Sequence, residues 1–281
     1  MVAEIRKITI IGGTTKSGEK EAIERLEIYK GDIITLVGTT GSGKSQLLSD
    51  IEQLATADTP SNRAVILNDG ELNRWGRQMV AQLSQAMNFV LDMPVEDFLE
   101  LHASSRGTSN NPVIEEVIGL TNSLSGEPID ARDHITSLSG GQSRALMIAD
   151  IAVISDAPVV LIDEIENAGI NRLMALEILS AKGKIVIVAS HDPLIILMGQ
   201  KRIVMHNGGM FKVFETSKEE KNLLKKLIAM DDELSVLRDR LRMGDFARSG
   251  GTLLMNKSGS TEEKRGESSN LEIIGGKKKD E

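Results

Sequence analysis

The sequence contains no cysteine among its 281 residues, and only 2% of them are aromatic. Without cysteine the chain cannot form disulfides, thiolate metal sites or cysteine nucleophiles. With so few rings it lacks the stacking platforms that many proteins use to bind single-stranded nucleic acid. The formal net charge of -8 also counts against general electrostatic binding to nucleic acid. We therefore expect no nucleic acid partner and a location in the reducing cytoplasm, reaching the inner face of a membrane only through a partner.

Long hydrophobic runs are also missing. No window approaches the roughly 18 consecutive apolar residues that a membrane-spanning helix needs. The N-terminal segment MVAEIRKITIIGG has no extended apolar stretch of the kind found in signal peptides. The longest apolar runs, VVLI and IVIVA, have the length of β-strands. We therefore expect any role at a membrane to depend on a partner.

What the sequence does contain is a series of short apolar runs separated by helical segments. Runs rich in β-branched residues at Ile33–Val37, Val159–Ile162 and Lys184–Ala189 are typical of strands buried on both faces. The segments Ser45–Ala55 and Gly140–Ile154 have helical character. Strands that alternate with helices predict an α/β fold with a parallel sheet.

The character of the sequence changes after residue 215, where the predicted α/β domain 1–215 ends. Six apolar residues then follow a 4-3-4-3-4 spacing, which predicts an amphipathic or coiled-coil helix over 216–243: Leu223, Leu227, Met230, Leu234, Leu237 and Leu241. The short seam is compatible with a helix that lies on its own domain and with one that pairs between molecules. Residues 244–281 are rich in Gly, Ser, Lys and Glu, so we expect a disordered tail there.

A phosphate-binding loop is predicted by the segment GTTGSGKS, which fits the pattern G-x-x-x-x-G-K-S between a strand and a helix. Its glycines let successive backbone N–H groups turn towards a phosphate, and the helix N-terminus adds the positive end of its dipole. We expect Lys44 to reach the β- and γ-phosphates and Ser45 to give its hydroxyl to Mg²⁺. The predicted nucleotide-binding residues are Gly38, Thr39, Thr40, Gly41, Ser42, Gly43, Lys44 and Ser45.

Two adjacent carboxylates end the apolar run VVLI. A phosphate-loop enzyme needs an acid at the end of such a strand to hold Mg²⁺, and we expect Asp163 to do so. Glu164 follows one residue later, where it could orient or deprotonate the attacking water. Without the phosphate loop, a pair of acids facing solvent would be the simpler interpretation.

A second helix start is marked by LSGGQ. Ser139 followed by Gln142 three residues later is a capping-box pattern. Gly140 and Gly141 leave the backbone N–H groups uncovered, so we predict a second anion-binding site at this helix N-terminus.

From about Ile5 to Phe214, the sequence resembles the ATP-binding cassette (ABC) ATPases. GTTGSGKS resembles the Walker A motif of the family, VVLIDE its Walker B motif with Glu164 at the catalytic glutamate, and LSGGQ its signature motif. Gln85 resembles the Q-loop glutamine because the segment PVEDFL follows it, with Gln82 as the less favoured candidate. His191, after the run IVIVAS, resembles the switch histidine.

The resemblance implies a phosphate-loop NTPase fold of ABC type. It implies a mainly parallel core sheet, an antiparallel β part and a helical subdomain at about 86–137. Two such cassettes would pack head to tail, with ATP between the phosphate loop of one chain and the signature motif of the other. His191 would contact the γ-phosphate, and Gln85 would approach Mg²⁺ and signal to a partner docked near the helical subdomain. Because both motif sets are intact, a homodimer would suffice.

The sequence departs from the family pattern in several places. The stretch IIGGTTKSGEK has no aromatic ring for stacking on adenine, so aliphatic or lysine contacts would have to bind the base. The loop after Glu164 ends in Ile170 where the family usually has aspartate, and Asp150 stands where arginine is usual. The helix at about Arg172–Ser180 is expected to be shortened. None of these changes removes a catalytic group.

Three functions remain open from the sequence. The first is the ATPase subunit of a membrane transporter, whose partner is a permease. The second is a soluble ATPase that remodels a client protein or cofactor enzyme. The third is a binding module that uses ATP only as a dimerisation switch, against which Glu164 and His191 argue.

Overall fold

The computed structural model describes residues 5–70, 79–84, 89–107, 111–163 and 169–244. Its nine strands within these ranges are β1 Lys7–Ile11, β2 Arg25–Tyr29, β3 Ile33–Val37, β4 Ala64–Leu67, β5 Val80–Leu83, β6 Val159–Asp163, β7 Ile185–Ala189, β8 Lys201–His206 and β9 Gly209–Glu215. The α-helices in the same ranges are α1 Lys44–Glu52, α2 Val95–Ser105, α3 Asn111–Leu124, α4 Gly140–Val153, α5 Arg172–Ala181, α6 Pro193–Met198 and α7 Lys218–Arg242.

The chain divides into two compact units, Met1–Asp232 and Glu233–Glu281. The first unit contains the strands and helices α1 to α6, together with the first part of α7. Of the second unit, the structure describes the remainder of α7. The predicted boundary between 215 and 216 stays a prediction, and the predicted tail 244–281 lies almost entirely outside the described residues.

A six-stranded sheet in the order β5-β6-β7-β3-β8-β9 forms the centre of the first unit. All neighbouring strands are parallel except β8 and β9, which are antiparallel. Every residue of β7 is buried, because helices or a second sheet cover both faces of the central strands. The predicted parallel core sheet is confirmed.

The second sheet is antiparallel, in the order β2-β1-β4. Its inward side chains, such as Ile8, Ile10 and Ile28, share one apolar cluster with α1 and the central sheet. Apolar residues of α4, α5 and α6 cover the opposite side of the central sheet. The core sheet therefore lies between a small β layer and a helical layer.

A third apolar cluster holds α2, α3 and the buried side of α4 together. Val95, Leu99 and Val117 are completely buried in it. Helices α2 and α3 fall within the range 86–137 of the predicted helical subdomain, whose limits stay a prediction, and α4 connects them to the central sheet. Among the described residues, no helix is long and apolar enough to cross a membrane.

The short apolar runs at Ile5–Ile11, Glu27–Tyr29 and Ala64–Leu67 also predict strands, and the structure has β1, β2 and β4 there. Three strands were not predicted from the sequence: β5, β8 and β9. The β8–β9 connection nevertheless carries a recognisable signal, since Asn207 and Gly208 both have positive φ angles, of 48° and 84°. An Asn-Gly pair is the usual sequence of a two-residue hairpin turn in which both residues have left-handed backbone conformations. This turn contacts the segment Gly38–Ser45 through a hydrogen bond from Gly208 to Ser42.

Candidate functional site

Residues 38–43 form a loop between β3 and α1, and Lys44 and Ser45 are the first two residues of α1. Gly38, Gly41 and Gly43 have φ angles of 152°, 78° and 105°, which side chains with a Cβ rarely adopt. A Cβ on Gly38 would lie 2.5 Å from the Ser42 hydroxyl. The backbone thus curls tightly over the first turn of α1 and leaves the helix N-terminus open for an anion.

Lys44 folds back over this loop. Its ammonium nitrogen donates to the carbonyls of Gly38 and Thr39 at 2.7 and 3.4 Å. Ser42 Oγ is buried and makes no hydrogen bond with any of the described residues. An orphaned hydroxyl, a helix N-terminus and a lysine in one loop fit the phosphate groups of a nucleotide.

The turn between β8 and β9 supports the loop from behind. Gly208 donates its N–H to the Ser42 carbonyl at 2.9 Å. A Cβ on Gly43 would lie 2.7 Å from the Gly208 Cα, so glycine is required for the close approach of the two backbones. The geometry of the phosphate loop therefore depends on a hairpin near the end of the domain.

A fully buried ionic cluster holds that turn in place. Arg63 donates to the Gly208 carbonyl at 2.5 Å and pairs with Asp50 of α1 at 2.7 Å. Its Nε also lies 2.6 Å from Glu21, in an ion pair whose angle does not satisfy a linear hydrogen bond. Glu21 in turn accepts the N–H of Met210 in β9. This cluster, Glu21–Asp50–Arg63, joins the loop after β1, the phosphate-loop helix and the hairpin.

Lys16 is a second cation at the phosphate loop that the motif did not identify. It belongs to the loop after β1, and its backbone N–H donates to the Asn207 carbonyl at 2.8 Å. Its ammonium nitrogen donates to the Gly41 carbonyl, also at 2.8 Å. The residue lies in the ring-free stretch for which lysine contacts with the nucleotide were considered. The sequence offered no means of placing this lysine against Gly41.

Asp163 and His191 lie at the same edge of the central sheet as the phosphate loop. Asp163 ends β6 and is opposite Ala189 of β7, which is itself opposite Leu36 of β3. His191 follows β7 by two residues and is exposed. Because the strands are parallel, their carboxyl ends place the acid, the histidine and the loop along one edge.

Two of the predicted catalytic residues, Glu164 and Gln85, lie outside the described residues. Gln82, the less favoured alternative to Gln85, is part of β5. Its amide nitrogen, in the orientation that satisfies the hydrogen bonds, lies 2.8 and 3.0 Å from the Glu52 carboxylate oxygens. Gln82 is thus engaged with α1 inside the core domain.

The signature segment forms the capping box that its sequence predicts. Ser139 Oγ accepts the Gln142 N–H at 3.3 Å, and the Gln142 side chain accepts the Ser139 N–H at 2.9 Å. Gly140 and Gly141 open α4 and leave its first turn without side chains. This second helix N-terminus lies in the helical layer, on a different element from the phosphate loop.

The oxygen donors at the sheet edge suit Mg²⁺. This ion is usually held by one or two protein oxygens together with phosphate oxygens and water, so it does not require a cage of side chains. Ser45 is exposed in the first turn of α1, and Asp163 is only half-buried. No group of three or more potential metal-binding His, Asp or Glu side chains occurs among the described residues.

The structure shows the surroundings of two residues that depart from the family pattern, Asp150 and Ile170. Asp150 is 8% exposed and its carboxylate lies 2.7 Å from Nδ1 of His102, so this pair links α4 to α2. Ile170 packs partly buried against the helical layer. Helix α5 spans the ten residues Arg172–Ala181, and its shortening relative to the family stays a prediction.

A cavity of about 400 Å³ lies between β5 and the helical layer. Phe89, Phe98 and His102 contribute to its lining. Val90 and Leu91 at its margin are 95% and 51% exposed. Apolar side chains this exposed mark a surface suited to a protein partner.

Comparison with known proteins agrees with the geometry. Residues 24–167 match the family model for the ABC transporter. An uncharacterized ABC transporter ATP-binding protein of Methanocaldococcus jannaschii is 52% identical over 247 residues, covering 86% of this chain and 95% of the relative. The macrolide export ATP-binding/permease protein MacB of Campylobacter jejuni is 26% identical over 231 residues, covering 76% of this chain; the matched region is only 35% of MacB.

Among solved structures, a dimeric post-hydrolysis state of an ATP-binding cassette bound to ADP and Pi has the same fold. The TM-score is 0.56 at 23% identity, covering 75% of this chain and 99% of the other. The comparisons give no support to the soluble remodelling alternative. The chain belongs to the ABC transporter family and is an ATP-binding cassette with ATPase activity.

Proposed function

We propose that this chain binds Mg-ATP at Gly38–Ser45 and uses its hydrolysis to drive a membrane permease. The observation that carries the proposal is the phosphate loop, which is tightly curled at a helix N-terminus and buttressed by a separate hairpin. The capping box at Ser139–Gln142 supports it, because a second open helix N-terminus is what a partner's nucleotide requires.

Each predicted residue receives a role in this proposal. Lys44 leaves the carbonyls of its own loop and binds the β- and γ-phosphates. Ser45, Asp163 and Gln85 hold Mg²⁺, which neutralises charge on the phosphates when bound. Glu164 accepts a proton from the attacking water, and His191 contacts the γ-phosphate.

Two copies of the cassette complete two sites. In each site, Ser139, Gly140, Gly141 and Gln142 of one copy cover the ATP held by the other. The exposed N–H groups of α4 provide donors for the phosphate oxygens. Closure and reopening of this pair is the motion that the permease uses.

The permease docks at the cavity beside β5, at the inner face of the membrane. Val90 and Leu91 supply an apolar contact, and the His102–Asp150 pair connects α2 to α4 beneath it. Since α4 begins at the signature segment, a shift of docked helices is transmitted to the ATP of the opposite site.

A capture experiment tests the permease proposal. A tagged Glu164→Gln chain, which should bind ATP without turning it over, is recovered separately from the membrane and soluble fractions of its native cells. We expect a polytopic membrane protein to be recovered with it, and a Val90→Asp, Leu91→Asp control to lose that protein while retaining ATP. Recovery of a soluble enzyme with no membrane protein would contradict the proposal that the partner is a membrane permease.

Lys16 gives a further prediction for ATP binding. We expect Lys16→Met to weaken ATP binding by up to about five-fold at low salt, since an exposed ion pair contributes on the order of 0.2–1 kcal/mol. Lys16→Arg should retain binding, and Lys20→Met, an exposed lysine on the same loop, should leave it unchanged. Isothermal titration calorimetry checks all three. If the Lys16→Met and Lys20→Met chains bind ATP with equal affinity, Lys16 does not contribute to ATP binding.

A further inference from the structure

Helix α7 carries a row of apolar residues, the seam, most of which are exposed. Five of the six residues spaced 4-3-4-3-4 are exposed by 38–60%: Leu223, Met230, Leu234, Leu237 and Leu241. The sixth, Leu227, is half-buried. A row of exposed leucines along one side of a 25-residue helix is an unusual surface for a chain in water, and it requires a partner.

Two ion pairs join the first part of α7 to the rest of the first unit. Glu220 pairs with Arg202 at 2.7 Å, and Asp231 pairs with Arg172 at 2.9 Å. Leu224 and Ile228 are half-buried between these two anchors. Both anchors are polar and lie in the part of α7 that belongs to the first unit.

The charges beside the seam indicate what covers it. With Leu223, Met230 and Leu237 at heptad position d, Lys226 and Glu233 fall at position g, and Asp231 and Arg238 at position e. In a parallel pair of helices in register, each g residue faces the e residue of the next heptad in the other chain. Both resulting pairs, Lys226 with Asp231 and Glu233 with Arg238, join opposite charges.

An antiparallel pair would give the opposite result. There, g faces g and e faces e, so Glu233 would face Glu233 of the second copy, and Asp231 would face Asp231. Lys226 would face Arg240, which is again a like-charge pair. Like charges along a coiled coil disfavour the arrangement that brings them together.

We propose that α7 pairs with α7 of a second copy of this chain as a parallel, in-register coiled coil along Leu223–Leu241. Asp231 takes part without leaving Arg172, because Arg172 occupies one carboxylate oxygen and a carboxylate can accept several donors. A parallel pair has its twofold axis along the coil, so the symmetry agrees with that of two cassettes packed head to tail.

The coil also has a functional consequence, which rests on the proposed pairing of cassettes around ATP. About three heptads form only a weak dimer alone, but they become effective when a second contact joins the same two chains. The seam then keeps two cassettes together after hydrolysis has opened the nucleotide interface. Reassembly around new ATP becomes a step within one complex.

Single cysteines test the register, because the chain has none of its own. In a parallel coil, Leu223→Cys and Leu237→Cys should each form a disulfide with the same residue of the second copy under mild oxidation, without nucleotide. Val236→Cys, an exposed position c on the outer face of the helix, should cross-link far more slowly. Cross-linking between Leu223→Cys and Leu241→Cys chains, but not within either, would establish an antiparallel pair and overturn the register.

Sedimentation of the full chain tests the strength of the seam. We expect Leu234→Lys with Leu237→Lys to raise the dimer dissociation constant at least ten-fold, with and without Mg-ATP, whereas Val236→Lys leaves it unchanged. Equal dissociation constants for the seam variant and the Val236→Lys control would overturn the proposal. Because the nucleotide-free measurement does not involve the ATP sites, a failure of the coil is distinguishable from a failure of ATP-driven pairing.

Discussion

The Lys44→Ala chain should hydrolyse ATP about a hundred- to a thousand-fold more slowly than the unaltered chain, the usual effect of removing one donor that stabilises transition-state charge. The Lys44 ammonium already lies at the centre of the phosphate loop, on the carbonyls of Gly38 and Thr39. Its removal takes away the cation for the β- and γ-phosphates and also two contacts that shape the loop.

Phosphate release at saturating Mg-ATP measures this loss. Lys44→Arg should be nearly as slow, because a planar guanidinium does not reproduce a compact ammonium within a curled loop. Lys20→Ala, which removes an exposed lysine from the loop after β1, is the matched control and should turn over normally. A Lys44→Ala chain with more than a tenth of normal turnover would show that the phosphate loop is not where hydrolysis occurs.

The Arg63→Met chain should lose about 3–5 kcal/mol of stability, the range found when one partner of a buried ion pair is removed. The side chains of Arg63, Glu21 and Asp50 are completely buried. With the arginine gone, two carboxylates would lie in the core with no cation, and the Gly208 carbonyl would lose its donor. Methionine replaces the aliphatic part of the arginine but leaves the space of the guanidinium empty and cannot compensate either charge.

Thermal unfolding checks this prediction. At roughly 2–4 °C per kcal/mol for a domain of this size, the Tm should fall by about 6–20 °C. Arg25→Met removes an exposed arginine that pairs with Glu27 at 2.7 Å, and its Tm should change by no more than about 2 °C. Neutralising both acids in the Arg63→Met background, with Glu21→Gln and Asp50→Asn, should recover part of the loss. If the Arg63→Met chain has the same Tm as the Arg25→Met control, the buried ion pairs of Arg63 do not stabilise the domain as predicted.

Local signals allowed much of the site to be predicted. The phosphate loop follows from eight consecutive residues between a strand and a helix, and the capping box of α4 follows from Ser139 and Gln142. Both depend on interactions within a few residues, so the sequence itself contains the geometry. The strand Ile33–Val37 was predicted with its observed bounds because it is rich in β-branched residues and buried.

The support of the loop could not be predicted in this way. The contact between Arg63 and Gly208 joins residues 145 positions apart, and no local pattern distinguishes a buried arginine from an exposed one. Lys16 likewise meets Gly41 only because two loops converge in space. The strands β8 and β9 were missed because charged residues interrupt their alternation, although the Asn207–Gly208 pair marked the hairpin.

The hairpin that backs the phosphate loop also determines when the nucleotide site can form during synthesis. The ribosome makes GTTGSGKS early, but Gly208 and its neighbours emerge only after most of the domain has been translated. Contacts between such distant segments are the last that a growing chain can make. A nascent chain therefore contains the whole motif long before it has a finished loop, so we expect ATP to be bound tightly only once the domain is nearly complete.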